Sequence, residues 1–291
     1  MTWTGWSAAV QAQPGTWEKL NKEGEEYYYK SEYQKAKETF IKGIAAAEKE
    51  FGKNHASYAT ACDNLAFINS MLGDYKVAEG LFLESKSIRE RVIGKSHPDY
   101  ATTCVNLADV YNAEGRYAGA EQLYLEAEAV FKKATGETSI EYALVINNLA
   151  GLYFVLGDYA KTESLYPKAR DIWSTLNGKE SADYATACNN LRNVYQQMGD
   201  YPRAEASYLE ALRITAIVSG KEDPVYATYS NNLGDVYREQ EELFKAEALT
   251  LRALEIRNRV LGAAHPLTAQ SSLNLGLIYQ DMGQYAKAEQ Y

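Results

Sequence analysis

Histidine and cysteine are scarce in this chain, three of each among 291 residues. A metal centre or a nucleophilic triad needs unlike side chains of this kind converging on one point, so the supply already narrows the chemistry. Long apolar runs are lacking as well. Glu, Lys, Asn or Gly interrupts every stretch well short of the roughly 18 apolar residues that a membrane span needs. Positive charge is in deficit: 30 Lys and Arg stand against 39 Asp and Glu, a formal net charge of −9. That balance argues against the basic stripe of a nucleic-acid binder and leaves proteins or peptides as the expected partners. With 46% hydrophobic and 24% charged residues, the chain is nonetheless apolar enough to fold, and it is expected to be soluble.

Repetition is abundant. Tyr58, Tyr100, Tyr142, Tyr184 and Tyr226 each open a Tyr-Ala pair and follow one another at intervals of 42 residues, with Thr268 in the next place. The segment from Thr16 fits the same register as a divergent first unit through Tyr27, Tyr33, Ala36, Phe40, Gly52 and His55. Units therefore start at 16, 58, 100, 142, 184 and 226, and a seventh, from 268, is cut short at Tyr291.

This period settles the one stretch that looks catalytic, His97-Pro98-Asp99 followed by Cys104 and Asp109. His55, His97 and His265 all occupy unit position 40, and Cys62, Cys104 and Cys188 all occupy position 5. A repeat spreads like residues along a line, whereas a site gathers unlike ones. Neither a catalytic site, a metal site nor a cofactor is expected, and the chain is not read as an enzyme. The cysteines are read as small core residues and free thiols, because stacked neighbours about 8–10 Å apart cannot be bridged. His-Pro follows a recurrent glycine at position 37 (Gly52, Gly94, Gly136, Gly178, Gly220, Gly262) and marks the break between helices. Gly94-Lys95-Ser96 is no phosphate-binding loop, since Arg89 stands where the loop needs glycine.

Inside each unit the apolar residues follow a helical period twice. Tyr100, Cys104, Leu107, Ala108 and Tyr111 share one face, and Tyr117, Ala120, Tyr124, Ala127 and Val130 share the next, with a break at Gly115. Each unit is thus an antiparallel helix pair that must stack on its neighbours to bury its faces. Leu107-Ala108-x-x-Tyr111, Ala120-x-x-x-Tyr124 and Ala127 resemble the tetratricopeptide repeat, and Leu149-Ala150-x-x-Tyr153 and Leu233-Gly234-x-x-Tyr237 repeat the match. The 42-residue period most resembles the kinesin-light-chain type. The resemblance implies an all-α, right-handed superhelical solenoid whose concave surface, lined by the first helices, binds a protein or peptide. Eight residues beyond the usual repeat lengthen each helix by about 6 Å.

Position 7 of the first helix is asparagine in every unit after the first: Asn64, Asn106, Asn148, Asn190, Asn232 and Asn274. Asparagine is an indifferent helix former, so this ladder calls for a reason. Its donor and acceptor can hold an extended peptide backbone, as the resemblance implies, or bond neighbouring helices and hold the stack. Around the ladder, Asp63, Asp109, Asp235, Glu239 and Asp281 face Arg238 as the only cation, with Phe67, Met71, Phe154 and Val155 toward the amino-terminal half. An acidic ligand is disfavoured, and a neutral or basic one with an apolar anchor is expected. Arg192 replaces a small residue at position 9 and must snorkel outward, loosening the joint or entering the groove beside Asn190 and Asn193. Glu241-Glu242-Leu243 replaces Gly-Asp-Tyr, so that turn should be the least regular.

The ends leave alternatives open. Residues 1–15 carry "WSAAVQAQPG", which looks like the tail of a secretory signal without its basic start, so a cytoplasmic and an exported location both stand. The chain stops inside a second helix. An array of this kind usually closes with a polar capping helix, so the sequence is expected to be a fragment, and it reads either as an interaction scaffold or as the recognition arm of a larger bacterial effector, for example a caspase-like peptidase, with self-association through the last helix a further expectation.

Overall fold

The computed structural model describes residues 15–291, so the signal-like segment lies outside the described residues but for Gly15. The chain divides into two compact units between Ala134 and Thr135. The first holds three helix pairs: α1 (Thr16–Tyr29) with α2 (Tyr33–Phe51), α3 (Ala56–Met71) with α4 (Tyr75–Val92), and α5 (Pro98–Ala113) with α6 (Tyr117–Ala134). The second holds α7 (Ile140–Val155) with α8 (Tyr159–Asn177), α9 (Ala182–Gln197) with α10 (Tyr201–Val218), α11 (Pro224–Glu239) with α12 (Leu243–Val260), and α13 (Pro266–Asp281) with the short α14 (Tyr285–Ala288). No strand occurs among the described residues.

Glycine sets the punctuation where the backbone turns left-handed. Gly94 (φ 81°) ends one pair, and Gly115 (φ 74°) joins the two helices of the next, donating to Asn112 O at 3.0 Å while Arg116 donates to Tyr111 O at 2.8 Å. The turn at Glu241, expected to be the least regular, keeps this geometry. Glu241 itself adopts φ 61°, its N–H reaches Arg238 O at 3.0 Å, and Glu242 reaches Tyr237 O at 2.8 Å. The glutamate bears the strain that glycine avoids in the neighbouring turns, because the flanking helices impose the turn whatever residue stands there.

The histidines are helix caps. Nδ1 of His55, His97 and His265 accepts from the backbone N–H of Ser57, Asp99 and Leu267 at 3.1, 3.1 and 3.2 Å. Asp223 accepts likewise from Val225 N–H, and Ser139 and Ser181 accept from the next orphan donor, the N–H of Tyr142 and of Tyr184. Position 40 is therefore a capping position, which is why histidine, serine and aspartate exchange there.

Each core is built from residues that recur. Leu107, Ala108 and Tyr124 are at most 1% exposed, and Leu149, Ala150 and Tyr166 are buried likewise in the second unit. Cys62, Cys104 and Cys188 are buried free thiols, and burial pushes them up to about 12, 12 and 11, so they remain protonated at neutral pH. At the mouth of every pair except α3–α4, where position 12 is Asn69, the position-12 tyrosine lies under a cation of the following helix. Arg116 sits 3.7 Å from the Tyr111 ring centroid and Lys161 4.2 Å from that of Tyr153.

Arg192 does not snorkel out. It is 8% exposed, lies 4.1 Å above the Tyr208 ring, and reaches Gln196 Oε1 at 3.2 Å. The large ring at position 25 offers its π face to a guanidinium that found no room beside it, so the joint is filled rather than loosened.

Candidate functional site: the exposed face of the first helices

Within each unit successive first helices touch (α3 with α5, α7 with α9, α11 with α13). Their exposed faces carry the candidate residues. The side chains at position 14, Met71, Ala113, Val155, Gln197, Glu239 and Asp281, are all exposed. The asparagines at position 7 lie just beneath them: Asn64, Asn106, Asn148, Asn190 and Asn232 are partly buried, and Asn274 is buried at 8% exposure.

Several ladder amides are engaged with the preceding repeat. Asn64 Nδ2 donates to Asn21 Oδ1, and Asn190 Nδ2 donates to Asn147 Oδ1 at 3.1 Å. Both acceptors hold unit position 6, so this bond is itself a repeating element. Asn274 Nδ2 reaches Asp235 Oδ2 at 3.0 Å. Position 13 makes a second set of ties to position 14 of the next first helix: Gln196 to Glu239 at 2.7 Å and Arg238 to Asp281 at 2.6 Å. Arg238 and Asp281 are thus paired with each other, and Glu239 accepts from the neutral Gln196.

The remaining candidates differ in setting. Asp109 is exposed and accepts from the Tyr124 hydroxyl, while Asn193 is partly buried. Asp235 is partly buried, and burial pushes its carboxyl up to about 6 against the opposing pull of Arg238 and Arg192. Asp63, expected among the groove carboxylates, is a core residue at 8% exposure. Its Oδ2 accepts from Arg89 at 2.8 Å and from Thr103 at 3.0 Å, and Arg89 also pairs with Asp99 at 3.0 Å. Position 6 faces the neighbouring pair, not the outer face, and the buried arginine on α4 draws the carboxylate inward.

Sequence reasoning missed one feature of this face. Tyr28, Tyr29, Phe67 and Asn64 line a pocket of about 200 Å³ with Glu25 at its edge. Tyr28 meets Phe67 edge to face at 5.4 Å, and Tyr29 is 82% exposed. The run Tyr27-Tyr28-Tyr29 was the available signal, hidden because the first unit diverges from the repeat pattern.

The geometry defines a stack of helix pairs within each unit, and the tetratricopeptide-repeat family model matches residues 19–90, 63–133, 141–217 and 224–291. The chain belongs to the tetratricopeptide-repeat family, in its 42-residue, kinesin-light-chain-like form. The crystal structure of BtubC (BKLC) from P. vanneervenii is 26% identical, covering 87% of this chain and 95% of that one with a TM-score of 0.64. A Podosopora anserina protein described as a kinesin light chain with nearly identical TPR-like repeats shares the fold at 20% identity, covering 69% of this chain and 94% of that one, TM-score 0.59. So does a signal transduction ATPase with numerous domains from Pyrococcus horikoshii, described as having a tetratricopeptide repeat sensor, at 15% identity over 92% of this chain and 41% of that one, TM-score 0.70. No curated protein matches the chain. Repeats of this family mediate protein–protein interaction, and the scaffold is generally non-catalytic. No described helix is long and apolar enough to cross a membrane.

Proposed function

We propose that this chain is a non-catalytic interaction module whose first-helix faces bind an extended segment of a partner protein. The observation that carries the reading is the asparagine row: one carboxamide in every repeat after the first, partly or fully buried beneath exposed side chains, at a helix position where asparagine brings no intrinsic advantage. The bonds that Asn64 and Asn190 make to the preceding repeat use one amide donor each, and a carboxamide offers a second donor and an acceptor, the groups that a peptide backbone needs. The pocket of Tyr28, Tyr29 and Phe67 suits an apolar anchor, and Glu25 at its edge favours a neutral or basic one.

The reading is tested by selecting random peptides of about a dozen residues against the full chain and mapping the selected binders by hydrogen exchange. Protection of α1, α3 and α5 or of α7, α9, α11 and α13 supports it, and protection confined to second helices refutes it. A second reading, the sensing arm of a larger signalling protein, draws on the likeness to the Pyrococcus horikoshii ATPase, in whose length this chain spans a minor part.

A further inference from the structure

A different surface of the second unit has the makings of a docking groove. The second helices α10 and α12 flank α11, and over Tyr226 and Leu233 they leave an open pocket of about 650 Å³. Leu209, Leu212 and Leu249 form its walls together with Ile217, and Leu209 and Ile217 are 48% and 54% exposed.

This apolar character is peculiar to one repeat. At the positions of Ala216 and Ile217 the other full second helices carry Glu48-Lys49, Glu90-Arg91, Lys132-Lys133, Ser174-Thr175 and Asn258-Arg259. Where five repeats place polar side chains, the repeat that starts at 184 places Ala216 and Ile217, at the cost of exposing apolar surface to water.

The charge is equally particular. In a chain of net charge −9, the pocket is lined by three cations, Arg213, Lys221 and Lys245, and by no carboxylate. Arg213 pairs with Glu210 at 2.9 Å and Glu180 at 3.4 Å, and Lys245 pairs with Glu242, but these acids stand outside the lining.

We propose that this groove docks an amphipathic helix of a partner protein, its apolar stripe seated on Leu209, Ile217 and Leu249 and its flanking Asp or Glu residues meeting Arg213, Lys221 and Lys245. Two helices held apart by a third leave a trough that takes a rod, and i, i+3, i+4, i+7 anchors match a wall that is itself helical. The acidic remainder of the chain repels such a helix elsewhere, which adds selectivity. The proposal rests on second helices and stands or falls independently of the asparagine row.

The test is fluorescence anisotropy of the full chain with a labelled amphipathic peptide of about five helical turns. Its apolar stripe is leucine and its flanks are glutamate. A lysine-flanked twin and sodium decanoate serve as comparisons. The double variant Ala216→Glu/Ile217→Arg copies what α4 carries and leaves the net charge unchanged, so it should fold, and Ile217→Thr, copying Thr175, is the milder second variant. The proposal expects saturable binding of the glutamate peptide, weakened at least about tenfold by the double variant and severalfold by Lys221→Glu. It is overturned by no saturation with the glutamate peptide, by equal binding of the lysine twin, by variants that bind as the parent does, or by decanoate binding alone, which would mark a site for small amphiphiles.

Discussion

The buried pair Asp63–Arg89 offers a test of the packing logic, because the next repeat solves the same position without charge. The Arg89 side chain is 7% exposed and that of Asp63 11%. The guanidinium bonds Asp63 at 2.8 Å, Asp99 at 3.0 Å and Thr60 at 3.2 Å. The equivalent positions one repeat on are Val105 and Phe131, the latter 3% exposed. Asp63→Val alone strands a buried cation, and breaking such a pair costs about 3–5 kcal/mol. Asp99, whose side chain is more than half exposed, retains part of the attraction, so the lower end, about 3 kcal/mol, is expected. Arg89→Phe alone strands a carboxyl that burial already pushes up to about 6, with the Ser85 and Thr103 hydroxyls as its surviving donors. The double variant replaces the pair by apolar side chains of similar bulk, a change that is often neutral or stabilising by about 1–4 kcal/mol. Circular-dichroism melts of the four proteins should therefore place both single variants well below the parent and the double variant level with it or above, a coupling of about 3 kcal/mol or more. A double variant that melts lower than either single variant, or an Asp63→Val protein as stable as the parent, would refute this account of the joint.

Three further outcomes follow from particular residues. Glu241→Gly removes a left-handed glutamate worth about 1–2 kcal/mol of strain and returns about 0.5–1 kcal/mol to the flexibility of the unfolded chain, so the urea midpoint should rise by a modest margin. The Asp235 carboxyl, raised to about 6, binds a proton in the folded chain that the unfolded chain has already released, so its contribution to stability falls as pH rises from about 4 to 6. Asp235→Asn should erase that slope: melting temperatures across this range should separate in favour of the variant as pH rises and run parallel above it. Elemental analysis of protein purified without a metal-binding tag should find no stoichiometric zinc, since the histidines spend Nδ1 on backbone caps and the cysteines are buried thiols.

The helix pairs were legible because a period of 42 repeats the same apolar faces and the same glycines, so each element is stated several times. The exceptions were legible only as exceptions. Nothing local says that Arg192 lies over Tyr208 or that Asp63 turns toward Arg89, because each outcome depends on a residue 16 or 26 positions away on the following helix. The Glu241 turn was misjudged by weighing residue preference above the hydrogen bonds that two flanking helices impose. Of the candidate site, the row of asparagines was visible by spacing, whereas the bond from position 7 back to position 6 of the preceding repeat needs the register between helices, which sequence spacing alone does not supply.

The central claim is that the asparagine row holds a partner's backbone, and the variant Asn148→Ala/Asn190→Ala tests it most directly. Affinities of peptides selected against the parent are measured by isothermal titration alongside the melting temperature of each protein. Asn190 gives up its bond to Asn147, worth about 1 kcal/mol, and Asn148 the long 3.5 Å bond it accepts from Asn147, while alanine returns helix propensity at both positions, so stability should fall by no more than about 1–2 kcal/mol. The account predicts binding weakened by about 1–3 kcal/mol, roughly 5- to 150-fold, at near-parental stability. A variant that melts well below the parent while its folded fraction binds the peptides undiminished would contradict it and make the asparagines a tie between repeats.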